Sequence, residues 1–262
     1  MVYGICLKSL PVPNQTADAE VIVVGSGVAG LVAALTCACA GLRVLVLEKS
    51  ALIGGTTAHS EAMVWVPLSR QARAAGVHDS REAALAYLAA AAGPQHRADL
   101  ASAYVDHAAQ ALAFVEDHSP VRWSLTPASI DYHPSLPGAT QGGRALSPGA
   151  FDGRKLGARF AHLRAPLDTT MILGGLSISG ADLPHYYRLG RSVRSTVYVG
   201  SRVARYAIDR LRGFARGTAL GGGNGVVAGL VLALGQLGVE VRRHSRVIDL
   251  VRHAGRVIGV RA

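Results

Sequence analysis

The chain has 262 residues, half of them hydrophobic and 5% aromatic, with 31 glycines. That apolar content suffices for one large domain or two modest ones and excludes a disordered chain. The formal net charge of +10 suits anions or an acidic membrane surface, but the basic residues are scattered, so no nucleic-acid partner is expected.

Cys6, Cys37 and Cys39 make an odd count without metal-ligand spacing. Neither a disulfide framework nor a metal site is expected, and a reduced, cytoplasmic chain is the default. Met1 to Glu20 lacks a charged start followed by an apolar core. Pro11, Pro13 and Asn14 make residues 1–18 a loose lead-in rather than a signal peptide.

From residue 19 onwards the pattern is that of a dinucleotide-binding domain. Val21-Ile-Val-Val24 suits a central parallel strand buried on both faces. Gly27 to Ala40 favours a helix that stops at Gly41, and Arg43 to Leu47 returns as a second strand, completing a βαβ unit. Residues 21–42 and 217–239 are uncharged and long enough to cross a bilayer of ~30 Å. Gly25-Ser-Gly27 and Gly221-Gly-Gly-Asn-Gly225 interrupt them, so both are buried pieces of an α/β domain and no transmembrane segment is expected.

Two alanine-rich helices, separated by Gly93-Pro94, are predicted between Ser80 and His118; the second carries Leu100, Tyr104, Ala108, Leu112 and Val115 on one face. Ser119 to Gly157 is rich in Pro and Gly and shows no period, which predicts a functional or flexible segment. Val193 to Arg216 is helix-like, and the arginines between 188 and 216 predict a solvated basic face, with peripheral membrane contact as the alternative. A helical stripe from Val226 to Leu237 follows. Val239 to Val241, Val247 to Val251 and Arg256 to Val260 are predicted strands, the last two forming a small C-terminal hairpin.

Gly25-Ser-Gly27-Val-Ala-Gly30 is a G-x-G-x-x-G string. It follows a predicted strand, opens a predicted helix, and has Glu48 at the end of the next strand. Gly25 permits the tight turn, Gly27 lets a pyrophosphate approach the backbone, and Gly30 lets the helix pack against the strand. The pyrophosphate meets N–H groups at the helix N-terminus, while Glu48 would accept from ribose hydroxyls. A nicotinamide and a flavin dinucleotide share this arrangement.

Gly54-Gly-Thr-Thr57, Ser60 and Met63-Val-Trp-Val-Pro67 come next, followed by Asp131-Tyr-His-Pro134, Leu136-Pro-Gly138, Gly142-Gly-Arg144 and Phe151-Asp-Gly-Arg154. From Glu20 to the C-terminus the chain resembles the flavoproteins that include 3-ketosteroid Δ1-dehydrogenases and the flavoprotein subunits of fumarate reductase and succinate dehydrogenase. The later strings resemble the ketosteroid branch most. The resemblance implies a Rossmann-like α/β fold with a parallel central sheet and helical insertions, binding FAD over residues 19–262. It assigns Ser26, Gly27 and Ala29 to the pyrophosphate, and Glu48 with Lys49 to the adenosine side. Gly55, Thr56, Thr57 and Ser60 would follow the phosphates, ribityl chain and flavin, behind the Gly54 turn. Val247 would face adenine.

The same resemblance implies a noncovalent FAD, because the position of the tethering histidine matches Gly55 rather than His59. Where the family commonly has two glycines, this chain has Glu61-Ala62. It further implies 1,2-desaturation of an apolar ketone, a 3-ketosteroid, with hydride transfer to flavin, proton removal by Tyr132 and an external electron acceptor. The alternatives are reduction of an unsaturated acid, which calls for an arginine proton donor, and a noncatalytic FAD-binding fragment. Family members continue into a capping domain and a final flavin-contacting portion, so the chain corresponds to their first part.

Overall fold

The computed structural model describes residues 19–126, 129–180 and 182–262. The 1–18 lead-in and Cys6 lie outside these residues. The βαβ unit forms as expected: β1 (Val21–Val24), α1 (Val28–Cys39) and β2 (Val44–Leu47). Next come β3 (Val64–Trp65), α2 (Arg70–Ala74), α3 (Arg81–Ala92), α4 (Ala98–His118), β4 (Trp123–Leu125), β5 (Ala145–Pro148), β6 (Phe151–Asp152), β7 (Met171–Ile172) and β8 (Leu176–Ser177). The C-terminal part holds α5 (Leu183–Tyr187), α6 (Val193–Leu211), β9 (Ala219–Leu220), α7 (Gly222–Gln236), β10 (Glu240–Arg242), β11 (Asp249–His253) and β12 (Arg256–Arg261).

The parallel sheet has the order β1-β2-β10, with Val46 opposite both Val23 and Val241. The middle strand is therefore β2, buried along its whole length, whereas β1 lies on the edge and leaves Val24 59% exposed. The expectation of a fully buried first strand is corrected accordingly. An apolar run signals that a strand is buried somewhere, but its place in the sheet depends on which strands pair with it.

Helix α7 is the centre of the core. Val226, Leu230 and Leu234 are at most 1% exposed, and the helix packs against α1, the 3-10 turn Gly55–His59 and β5. Each such leucine contributes about 1.5–3 kcal/mol on burial. A helix apolar all round belongs inside a domain. The glycines at 222, 223 and 225 form its first turn instead of breaking it. A β-carbon on Gly223 would stand 1.8 Å from the Thr57 carbonyl oxygen, so only glycine lets α7 approach this segment.

Two further expectations change. Ser119 to Gly157 contains regular structure, because β4 and β3 both pair antiparallel with β5. Strands of two to four residues are too short to carry a period. On α4, Leu112 and Val115 are buried, but Leu100 and Tyr104 emerge 60% and 44% exposed. The start of α3 fits its sequence: the Ser80 hydroxyl accepts from the Ala83 N–H, a cap typically contributing ~1 kcal/mol.

The arginines between 188 and 216 do not form one solvated face. Arg202 donates to the Ser177 carbonyl, Arg205 pairs with Asp152 at 2.7 Å, and Arg216 is buried over Phe160. Among the described residues no helix is long and apolar enough to cross a membrane. Cys37 and Cys39 are free thiols, and the described residues hold no metal-binding cluster.

Candidate functional site

The turn between β1 and α1 is organised by a buried serine and a buried carboxylate. Ser26 is fully buried, and its N–H and hydroxyl both donate to Glu48 Oε2, at 3.1 and 2.5 Å. Glu48 Oε1 accepts the Ser50 N–H at 2.9 Å, and Ser26 Oγ accepts the Gly54 N–H at 3.1 Å. Burial pushes the Glu48 carboxyl up, but the Ser26 hydroxyl and the N–H groups of Ser50 and Ser26 outweigh it and hold the group below its ordinary range. Ser26 thus joins the glycine-rich turn both to Glu48 and to the Gly54-Gly55 segment.

At the start of α1, Gly25 has φ +101°, and its N–H donates to the Leu47 carbonyl. Gly30 packs as expected: a β-carbon there would lie 2.1 Å from the Gly25 carbonyl oxygen. Thr57 Oγ1 accepts the Val28 N–H at 3.0 Å, capping the helix from 29 residues away. The next N–H groups of the first turn, on Ala29 and Gly30, have no intrahelical acceptor. This concentrates positive potential at the helix end.

In front of that helix end lies a cleft of about 620 Å³. Of the residues expected at the cofactor, Gly25, Ser26, Gly27, Glu48, Lys49, Gly55, Thr56 and Val247 line it. Ala29, Gly30, Gly54, Thr57 and Ser60 do not; Gly30 and Gly54 close the packing and Thr57 caps. Ser60 offers its carbonyl to the Gly223 N–H and lines a smaller polar cavity with Glu61 and Asn224. Val247 reaches the cleft from a connection before β11, not from within a strand. Ser245 N–H is tied to the Glu48 carbonyl there, so the chain crosses the end of β2 before its hairpin begins.

Arg164, Arg246, His59 and Ser50 also line the cleft and were not anticipated as cofactor contacts. Three cationic side chains, Lys49, Arg164 and Arg246, thus line the cleft together with one carboxylate that is already hydrogen-bonded. The wall between them is bare backbone: a β-carbon on Gly55 would stand 3.5 Å from Gly27 Cα. This donor set fits an extended ligand with an anionic centre.

Residues 20–262 match the family model described as FAD binding domain. The chain belongs to this FAD-binding family. FAD is therefore its cofactor. The chain is 35% identical over 239 residues to 4-oxocyclohex-2-ene-1-carboxylate 5-dehydrogenase of Sinomonas cyclohexanicum, covering 91% of this chain and 40% of that protein. It is 34% identical over 249 residues to 3-oxosteroid 1-dehydrogenase of Mycobacterium tuberculosis, covering 92% and 42%. The structure of 3-ketosteroid Δ1-dehydrogenase from Sterolibacterium denitrificans with 1,4-androstadiene-3,17-dione superposes with a TM-score of 0.79 at 33% identity, over 92% of this chain and 43% of that one. The chain spans about 40% of the length of these relatives.

The FAD-binding fold carries a second, apolar cavity of about 700 Å³. Trp65 stacks between Tyr87 and Tyr104 in its wall, with ring centroids 5.8 and 6.3 Å away. The Tyr104 hydroxyl donates to the Trp65 carbonyl, and burial pushes that phenol up. Tyr132 also lines this cavity, 93% exposed, and its hydroxyl makes no hydrogen bond among the described residues. Neighbouring His133 is held through its N–H by the Tyr87 hydroxyl at 3.3 Å. The half-buried His185 ring stacks on Tyr198, with centroids 4.2 Å apart.

Glu61-Ala62 connects the two regions. Glu61 is exposed, and Ala62 has φ +49°, a backbone region that favours glycine. The Gly-Gly pair expected by resemblance thus has a backbone reason at position 62.

Proposed function

We propose that the chain serves FAD-dependent dehydrogenation of a cyclic ketone, with 3-oxosteroids as the substrate class. One arrangement supports this reading above others: a single short segment joins the cofactor cleft to the apolar cavity. His59 lines the cleft, and Met63, Val64 and Trp65 line the cavity, so one ligand at each end would bring cofactor and ketone side by side. The volume and aromatic walls of the cavity suit a rigid apolar ring system.

In this reading Ser26, Gly27 and Ala29 meet the diphosphate, Glu48 and Lys49 the adenosine side, and Val247 the adenine. Glu48 keeps unused lone pairs for a ribose hydroxyl beside those given to Ser26 and Ser50. Gly55, Thr56, Thr57 and Ser60 follow the chain towards the flavin, which is held noncovalently. Bound FAD would supply the two-electron acceptor, taking up the hydride that leaves the carbon next to the deprotonated one. Tyr132 removes the proton beside the ketone. Its unbonded, exposed hydroxyl supports that role.

A second reading has its own observation. His96 and Arg97 stand on the same cavity and would suit a ketone bearing a carboxylate, such as that named for the Sinomonas cyclohexanicum relative. The test is to purify the full chain, record its flavin absorbance with and without added FAD, and follow reduction of an oxidised dye with a 3-oxosteroid or 4-oxocyclohexanecarboxylate and oxidation of a reduced dye with fumarate. Dye reduction by the steroid is expected. A chain that takes up no FAD sinks the cofactor reading. One that takes up FAD but is reduced by neither ketone sinks the dehydrogenase reading.

A further inference from the structure

We propose that Arg164 is the charge partner of the cofactor diphosphate, an inference that rests on FAD occupying the cleft. The backbone of Arg164 is clamped from two sides. Leu163 pairs with Ile53 in an isolated parallel bridge, the Arg164 N–H donates to the Ile53 carbonyl at 2.9 Å, and its own carbonyl accepts Asn224 Nδ2 at 2.6 Å. Ile53 precedes Gly54-Gly55, and Asn224 lies in the first turn of α7. The root of the side chain is therefore fixed beside the glycine wall of the cleft.

The guanidinium is under-used where it sits. One bond, from Nη2 to Ser50 Oγ at 3.1 Å, engages it, and Nε is buried without a partner. Among the described residues no carboxylate pairs with Arg164. Nearby Arg242, by contrast, is forked on Glu240 at 2.8 and 3.0 Å. A guanidinium taken partly out of water without a counter-ion is costly, and its planar fork matches phosphate oxygens. Lys49 and Arg246 also line the cleft but are exposed, so water already satisfies them.

The helix end alone offers less than usual. Thr57 Oγ1 occupies the Val28 N–H, which removes one donor of the first turn from any ligand. Arg164, lining the same cleft as that turn, offers further N–H donors together with a positive charge. The chemistry recognised is a diphosphate, so an ADP moiety should feel Arg164 and a bare nucleoside should not.

The experiment is calorimetric titration of the full chain and its variants with FAD, ADP and adenosine, with circular dichroism melting as the fold control. Arg164→Gln is expected to weaken ADP by about ten- to a hundredfold, as for loss of a charged hydrogen bond, and to leave adenosine unchanged. Arg164→Lys, which keeps the charge but not the fork, is expected between the two and carries the test if the glutamine variant does not fold. Equal ADP affinity in wild type and both variants, with FAD still bound, overturns this proposal alone. So does a loss that is the same for adenosine as for ADP, which marks a role in shaping the cleft. If the wild type binds neither FAD nor ADP, the cofactor reading fails and takes this proposal with it.

Discussion

Arg144 Nη1 donates to Asp131 Oδ2 at 3.0 Å, and the two side chains are 1% and 2% exposed. The rest of the guanidinium is forked on Asp79 at 2.9 and 2.6 Å and lies 5.2 Å from the Trp65 ring centroid. Asp131 Oδ1 accepts the Trp65 indole N–H at 2.6 Å. One buried carboxylate therefore positions both the cavity wall and the residue before Tyr132. Asp131→Ala leaves a buried cation half-paired and is expected to cost about 3–5 kcal/mol in urea unfolding. A loss under about 1 kcal/mol, the level of a surface pair, would show that water reaches this network.

The Glu48 carboxyl sits below its ordinary range in the folded chain, so the unfolded chain binds more protons as pH falls. Its contribution is fully present above the ordinary carboxylate pKa of ~4 and is lost as pH drops through the folded value. Glu48→Gln is expected to cost about 1–3 kcal/mol near neutrality. The difference should shrink on acidification, because only the wild type loses this term. Urea midpoints that run parallel for the two proteins down to about pH 3 would contradict the linkage.

Ala62 holds φ +49° with a side chain that disfavours it, at a typical cost of about 1 kcal/mol. Ala62→Gly removes the clash between Cβ and backbone. Its melting temperature is expected to rise by about 2–4 °C. An unchanged or lower value would mean that the glycine's extra freedom in the unfolded chain offsets the relief.

Arg216 is 8% exposed and lies 4.7 Å from the Phe160 ring centroid, with neither Nη atom hydrogen-bonded among the described residues. Burial pulls its pKa down to about 10. Arg216→Met keeps the packing and removes the unpaired charge, with an expected gain of about 1–4 kcal/mol near neutral pH. The unfolded chain binds more protons than the folded one above about pH 10, so wild-type stability should recover there relative to the methionine variant. Destabilisation by the substitution would show that the contact with Phe160 outweighs desolvation.

Tyr132 is 93% exposed, so Tyr132→Phe should leave stability within about 0.5 kcal/mol. If it is the base of the proposed dehydrogenation, ketone-dependent dye reduction falls by about 10²–10⁴-fold, while FAD affinity stays the same. Unaltered turnover would remove it from the chemistry.

Local patterns were enough for the βαβ unit, its glycines at 25, 27 and 30, Glu48 at the end of β2, the two helices between Ser80 and His118 and the C-terminal hairpin. Each depends on neighbours within a turn, a strand or a fixed spacing, so residue types in order carry the information. The edge position of β1, the pairing of β4 with β5, and the continuity of α7 through its glycines depended on partners far along the chain. The same holds for side chains. Arg144, Arg164 and Arg216 are alike as letters, yet one is paired in the core, one lines the cleft at the glycine-rich turn and one is buried over an aromatic ring. An arginine's solvation and counter-ions are set by residues brought together from 13 to 114 positions away, and only packing decides which of these roles each one takes.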